Sequence, residues 1–270
     1  MKKSLILFVL VAIVLSVLSC SDYNKIYKNA SDETRYEVAK KYYQRGDYGK
    51  AASILESIVI AMKGSEYAEE SLFLLAMTYY NQEDYVTASH YFKRYYTTYP
   101  RAMFVEQARF ICAKGLYLDT PEPRLDQTST YAALEELLLY VDLYPESVHK
   151  DEAQEMINNL QDKLVEKDYL AAQLYYNLGN YMGNNYLACV VTAQNALRDY
   201  PFSIYREDLS FLVLKAKYQM AVESVEDKKI ERYRDAVDEY YSFINDFPES
   251  KYMKDANNIF KQSSKYTTTD

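Results

Sequence analysis

The sequence predicts an all-α chain, an α-α superhelix (solenoid) of about five helix hairpins stacked as repeats, and three observations carry that prediction. The first is a stretch that keeps returning. In Asp84–Pro100, Tyr85, Ala88, Phe92 and Tyr95 share one helical face and Tyr99-Pro100 stops the helix. The frame reappears as Tyr186, Cys189, Ala193, Ala196 and Tyr200-Pro201, and as Tyr233, Ala236, Tyr240, Phe243 and Phe247-Pro248. A copy blurred at its start reads Thr130, Ala133, Leu137, Tyr140 and Tyr144-Pro145. The second observation is proline usage: of 6 prolines, Pro100, Pro145, Pro201 and Pro248 fill this one slot, each followed eight positions later by an apolar residue (Ala108, Ala153, Leu209, Ala256). The third is that no segment of any length alternates apolar and polar residues as a half-buried strand does.

In chain order, the N-terminus comes first and differs from the rest. Lys2 and Lys3 precede a nearly unbroken apolar run, Leu5–Leu18, which is short for a bilayer span and suits a signal peptide. Val17-Leu18-Ser19-Cys20 resembles the lipobox of bacterial lipoproteins, which implies cleavage after residue 19 and a lipid on the Cys20 thiol. Residues 20–30 then form a polar lead, 31–120 the N-terminal repeats, 121–129 a loop, 130–262 the C-terminal repeats and 263–270 a frayed tail.

Ser31 or Asp32 can cap the first helix, where Tyr36, Ala39, Tyr42 and Tyr43 run to Gly46. Asp47-Tyr48 opens its partner, striped by Ala51, Leu55 and Ile58. Ala76, Tyr79, Ala88 and Phe92 repeat the relation of Ala39, Tyr42, Ala51 and Leu55 at a constant shift, so a second hairpin follows the first. With Pro100, the spacing resembles the tetratricopeptide repeat, with its two small residues, one large apolar residue and terminal proline. The first hairpin has Met62-Lys63-Gly64 in place of that proline.

The third hairpin is interrupted at Thr120–Ser129, which holds Pro121 and Pro123; it is either an exposed functional loop or a tolerated insertion. Ser147 can cap the next helix, and from Val148 to Leu178 the apolar period hardly pauses, so one long helix or two with little break is expected. Ser203 is placed to cap the helix holding Leu209, Leu212 and Ala216; a charged insert, Glu223–Glu231, precedes the last repeat, and Ser250 is placed to cap the final helix.

Composition narrows function. A net charge of −8 with interspersed cations leaves no electrostatic footprint for nucleic acid. With 6 glycines and neither GxGxxG nor GxxxxGK[ST], no phosphate-cradling loop is present. His90 and His149 are the only histidines and lack partners at zinc spacing, so no metal site is expected. The acidic pairs Glu69-Glu70, Glu135-Glu136, Asp151-Glu152 and Asp238-Glu239 are neighbours on helices, pointing about 100° apart, and read as solvated faces, most of them in helix first turns. Cys112 and Cys189 sit in the repeat frame as small hydrophobes. No catalytic constellation emerges, and no cofactor beyond the lipid on Cys20. Among the 31 tyrosines, Tyr43, Tyr80 and Tyr96 neighbour frame positions without belonging to them and are candidates to line a peptide groove.

A specific resemblance rests on these residues. A lipobox, a polar lead and the repeats, with "AMTYYNQEDY" (76–85), "LVEKDYLAAQLYY" (164–176), "LYYNLGNYMGNNYLACVV" (174–191) and "ALRDYP" (196–201), are similar to the BamD family. These are lipoproteins of the outer-membrane β-barrel assembly machinery. The resemblance implies a non-enzymatic scaffold at the periplasmic face of the outer membrane, held there by its lipid. It implies three kinds of partner: the barrel-forming assembly subunit with its polypeptide-transport-associated domains, other assembly lipoproteins, and unfolded outer-membrane proteins. Arg198 matches a family arginine associated with the barrel subunit; its chemistry fits a bidentate carboxylate clamp and equally a solvated helix-end cation. Tyr42, Tyr43, Tyr79 and Tyr80 fall in the region expected to receive substrate. Two rivals share many features: a lipid-anchored repeat adaptor for cell division or peptidoglycan synthesis, and a surface glycan-binding lipoprotein, against which the absence of Trp argues.

Overall fold

The computed structural model describes residues 30–267, which form eleven helices and no strand. They are α1 (Asp32–Gln44), α2 (Tyr48–Ile58), α3 (Ala68–Asn81), α4 (Tyr85–Thr98), α5 (Val105–Leu118), α6 (Thr128–Leu143), α7 (Lys150–Leu178), α8 (Asn185–Asp199), α9 (Arg206–Val222), α10 (Glu226–Asp246) and α11 (Met253–Thr267). The architecture is that of tetratricopeptide-like hairpins, five successive helix pairs and a last single helix. The expected signal peptide, Cys20 and the polar lead up to residue 29 lie outside the described residues, as do 268–270.

Two compact units form. One runs through Asp119 and takes in Glu135–Ala153; the other combines Thr120–Leu134 with Gln154 onward. Helices α6 and α7 each contribute residues to both units. Helix α7 is a single unbroken helix of 29 residues. No proline or glycine interrupts it before Gly179, whose φ of 56° ends it.

The repeat frame is the core. Ala88, Phe92, Tyr95, Ala133, Leu137, Tyr140, Tyr186, Cys189, Ala193, Ala196, Tyr233, Ala236, Tyr240 and Phe243 are all buried, as are Ala108, Ala153, Leu209 and Ala256. Alanines at the facing positions let helices approach, and aromatic rings fill what remains. In the first unit Phe73 packs against Phe92, Tyr95 and Phe104 with ring centroids 5.9, 5.3 and 5.1 Å away. Polar residues set the ends. Ser31, Asp84 and Asn184 side chains accept from the backbone N–H of Thr34, Thr87 and Leu187, so α1, α4 and α8 have true caps.

The serines after the prolines behave differently from expectation. Ser147, Ser203 and Ser250 are not N-caps; α7, α9 and α11 begin three residues later. Each hydroxyl accepts from the N–H two residues on, forming a tight local turn (3.1, 3.3 and 2.9 Å). Ser203 Oγ and Ile204 N–H both donate to Asp162 on α7, at 2.7 and 3.1 Å. Ser250 Oγ and Lys251 N–H do the same to Glu207 on α9, at 2.6 and 3.1 Å. A carboxylate on the first helix of a hairpin thus holds the loop that leaves the second. Removing either acid, as Asp162→Ala or Glu207→Ala, strands two donors and is expected to cost about 1.5 kcal/mol, read from urea unfolding midpoints.

Two further expectations change. The charged insert is mostly helix, since α10 starts at Glu226. The C-terminal helix continues through buried Ser263 to Thr267, because Tyr266 stacks on the frame residue Tyr233 with centroids 4.2 Å apart and planes 6° from parallel. Cys112 and Cys189 are free and buried, and burial pushes both thiols up to about 12. Neither is expected to react with a disulfide reagent at neutral pH until the chain unfolds, which thiol titration with and without denaturant checks.

Candidate interaction surfaces

The tyrosines expected to line a groove each have their own surroundings within the first unit. Tyr42 is half-buried, with Lys50 Nζ 5.2 Å from its ring centroid. Tyr43 wedges into the end of its hairpin, its hydroxyl accepting from Asn81 Nδ2 at 2.9 Å and its ring edge-on to Tyr48. Tyr80 meets Tyr85 edge-on and lies against Gly115, where a Cβ would stand 3.5 Å from the ring. Tyr79 donates to Glu56 at 2.6 Å and stacks on Tyr91, with centroids 5.6 Å apart. Burial and then the Glu56 carboxylate push the Tyr79 hydroxyl up.

Tyr91 also reaches Glu56, at 3.4 Å, so two hydroxyls and one carboxylate from α2, α3 and α4 converge on this point. Neither Tyr91 nor Glu56 stands out in the sequence; the one signal is that Tyr91 adjoins the frame residue Phe92. Tyr96 is core rather than lining. It is buried, carries the Arg109 guanidinium 4.1 Å above its ring and donates to Glu136 at 3.4 Å.

The acidic pairs have structural partners. Glu69 and Glu70 stand in the first turn of α3, and Asp151 and Glu152 in that of α7, where negative charge complements the helix dipole. Glu135-Glu136 and Asp238-Glu239 instead lie inside α6 and α10, away from any first turn. Glu70, Glu136, Glu152 and Glu239 pair with Lys40, Lys93, Lys114 and Lys217 of other helices. His149 stacks on Phe110, with centroids 4.1 Å apart, and His90 is exposed beside Tyr91. Among the described residues no group of three or more His, Cys, Asp or Glu side chains could hold a metal ion.

The Thr120–Ser129 interruption is ordered by its own polar contacts. Buried Gln127 donates to the carbonyls of Glu122 and Leu125 at 2.8 and 3.1 Å and accepts from Thr130 Oγ1 at 2.7 Å. Lys163 and Lys167 of α7 donate to Thr120 Oγ1 and the Leu125 carbonyl at 2.6 and 2.9 Å.

Arg198 lies in the last turn of α8, 69% exposed, with its guanidinium forked onto neighbouring Asp199 at 2.9 and 3.4 Å. Just beyond the proline, Phe202 and Ile204 are 98% and 73% exposed, rimming a cleft of about 460 Å³ that reaches Asp162 on α7. The sequence does not single out these two apolar side chains, although they precede the point where the buried frame resumes at Leu209. An exposed arginine four residues before an exposed phenylalanine is the composition of a protein-docking surface.

A protein-family profile described as "YfiO: Outer membrane lipoprotein" matches residues 28–231. No curated protein matches the chain. A crystal structure of the P58(IPK) TPR domain is similar at 14% identity, with 93% of this chain and 63% of that chain aligned, at a TM-score of 0.27. So low a score supports no conclusion about this chain.

Proposed function

We propose, from the premise that this chain belongs to the YfiO family of outer membrane lipoproteins, that its Arg198 edge is where it docks onto the barrel-forming subunit of the assembly machinery. Membership itself makes the chain a non-enzymatic scaffold of outer-membrane protein assembly, lipid-anchored at the periplasmic side of the outer membrane and acting within the assembly complex. The finer reading assigns the lipid to Cys20, the barrel subunit's polypeptide-transport-associated domains to the surface around Arg198, and unfolded outer-membrane proteins to the tyrosine-rich first unit.

The observation that carries the docking assignment is Phe202, 98% exposed four residues after an exposed Arg198. The pairing of Arg198 with Asp199 is a surface contact between neighbours and costs little to exchange for a partner carboxylate. Phe202 then supplies apolar area that the isolated chain leaves in water. The first unit is the better place for an extended substrate because Tyr79, Tyr91 and Glu56 offer stacking faces and polar groups together.

The experiment is affinity purification of the tagged, lipidated protein from detergent-solubilised membranes, with co-eluting chains identified by mass spectrometry. A barrel protein with periplasmic transport-associated domains is expected, and Arg198→Glu together with Phe202→Ser is expected to reduce its recovery at least tenfold. Undiminished recovery moves the interface elsewhere. Division or peptidoglycan proteins in its place, with no barrel subunit, overturn the partner assignment.

A further inference from the structure

Within the second unit, α7 and α9 bound a cleft of about 270 Å³ that shares no lining residue with the cleft at Phe202 and Ile204. Tyr169 and Tyr176 from α7, Phe211 from α9 and Tyr252 from the loop before α11 line it together with Gln173 and Asn177, and Phe211 stacks on Tyr252 with centroids 4.2 Å apart. The helical spacing explains this, because residues seven apart return to the same face after two turns. Tyr169 and Tyr176 are one such pair on α7, and Asp208 and Lys215 are the matching pair on α9, roughly 10 Å apart along the axis.

Those two charges are treated differently. Asp208 is engaged through Oδ1, which accepts from Tyr252 Oη and pairs with Lys251 at 2.8 Å. Lys215 is half-buried, and its Nζ lies 4.4 Å from the Tyr176 ring centroid and 5.9 Å from that of Phe211. Among the described residues it has no ion pair, whereas Lys217, two residues on and facing elsewhere, is joined to Glu239 at 2.6 Å. Ring faces attract an ammonium without cancelling its charge or satisfying its three N–H donors as a carboxylate does. Asn177, exposed at the same end, adds an amide with no hydrogen bond among the described residues. The cleft therefore holds a neutralised anion at one end, an uncommitted cation with an idle amide at the other, and aromatic surface between.

We propose that this cleft binds an extended segment of a partner protein that presents a carboxylate to Lys215 and lays an adjacent apolar side chain on the aromatic walls. Charge fixes the choice of occupant: a basic segment would meet Lys215 without compensation, and a purely apolar one would leave it unpaired. The segment enters along the helix pair, with its carboxylate near Lys215 and its backbone near Asn177. The inference does not depend on the assembly role, since it concerns peptide recognition by the second unit and is read in purified protein.

Photolabelling tests it. The full chain in detergent micelles is irradiated with a capped hexapeptide carrying benzoylphenylalanine next to Glu, or with the same peptide carrying Gln, and the attachment sites are mapped by mass spectrometry. Labelling within 169–177 or 208–215 is expected at least tenfold more strongly for the Glu peptide. Lys215→Glu is expected to abolish it and Lys215→Arg to preserve it, with helical circular dichroism unchanged in both. A third peptide, with Gln and a free terminal carboxylate, distinguishes the source: labelling by it as well extends the site to chain ends, and silence restricts it to acidic side chains. Equal labelling by the Glu and Gln peptides, attachment outside these stretches, or indifference to Lys215→Glu overturns the proposal.

Discussion

Replacing Phe92 with alanine is expected to lower the stability of the first unit by about 3–5 kcal/mol, the cost of deleting a fully buried ring and leaving the cavity it filled. Phe92 is 0% exposed on α4 and meets Phe73 from α3 edge to face. Phe73 in turn packs on Tyr95 and Phe104, so the hole opens against the hub of a four-ring cluster. Tyr95 cannot swing in to fill it, since its hydroxyl is held by Glu69 at 3.1 Å. A domain's whole stability is on the order of 5–15 kcal/mol, so such a loss removes a large share of it. The control is Val86→Ala on the same helix: Val86 is 61% exposed, and its truncation is expected to stay within about 0.5 kcal/mol. Urea unfolding followed by circular dichroism reads both. A Phe92→Ala loss below about 1 kcal/mol would mean that the repeat frame is not where this unit's packing energy resides.

The frame that places Phe92 is legible in the sequence because it is a property of one helix at a time. A face written as Tyr85, Ala88, Phe92 and Tyr95, closed by a proline, needs no knowledge of its neighbours to be read as inward-facing. The continuity of α7 is legible for the same reason, since nothing in its sequence could stop a helix before Gly179. What escapes the sequence depends on contacts between helices. Tyr96 reads as a groove residue and is core, because Arg109 and Glu136 from other helices cover it. Ser203 and Ser250 look like caps by composition, yet Asp162 and Glu207, more than forty positions earlier in the chain, recruit their hydroxyls to hold loops. Lys215 carries no local signal at all. Its isolation appears only once the carboxylates around it are seen to be committed elsewhere.

The candidate surfaces divide in the same way. The family resemblance nominates Arg198 through a short motif, and the structure adds the exposed Phe202 and Ile204 four and six residues later in the chain. Tyr42, Tyr43, Tyr79 and Tyr80 are nominated by position alone. Adjacent residues on a helix diverge by about 100°, so two neighbouring pairs do not share one wall. Of the four, Tyr79 has a second ring and a carboxylate gathered about it, which is why the Tyr79–Tyr91–Glu56 group is the place proposed for a peptide in the first unit.

Behind a signal peptide that is cleaved without lipidation, Cys20→Ala is expected to shift the protein from the membrane fraction to the soluble periplasmic fraction. Cys20 lies outside the described residues, and its role rests on the apolar run Leu5–Leu18 closing in Ser19-Cys20 rather than on geometry. The size of the effect follows from acyl chains. Each buried methylene contributes about 0.8 kcal/mol, so one chain holds a protein marginally and two or more hold it stably. None of the described helices is long and apolar enough to cross a membrane, and the lipid on Cys20 is proposed to carry the attachment. The docking proposed for the Arg198 edge would be a second, weaker tether, and the two can be separated. Cys20→Ala alone should leave a small membrane-bound fraction, and adding Arg198→Glu should remove it. Full retention of Cys20→Ala, unaffected by Arg198→Glu, would sink the lipid assignment and point to an anchor of another kind. Retention lost only in the double variant would show instead that the lipid and the partner each suffice to hold the protein at the membrane.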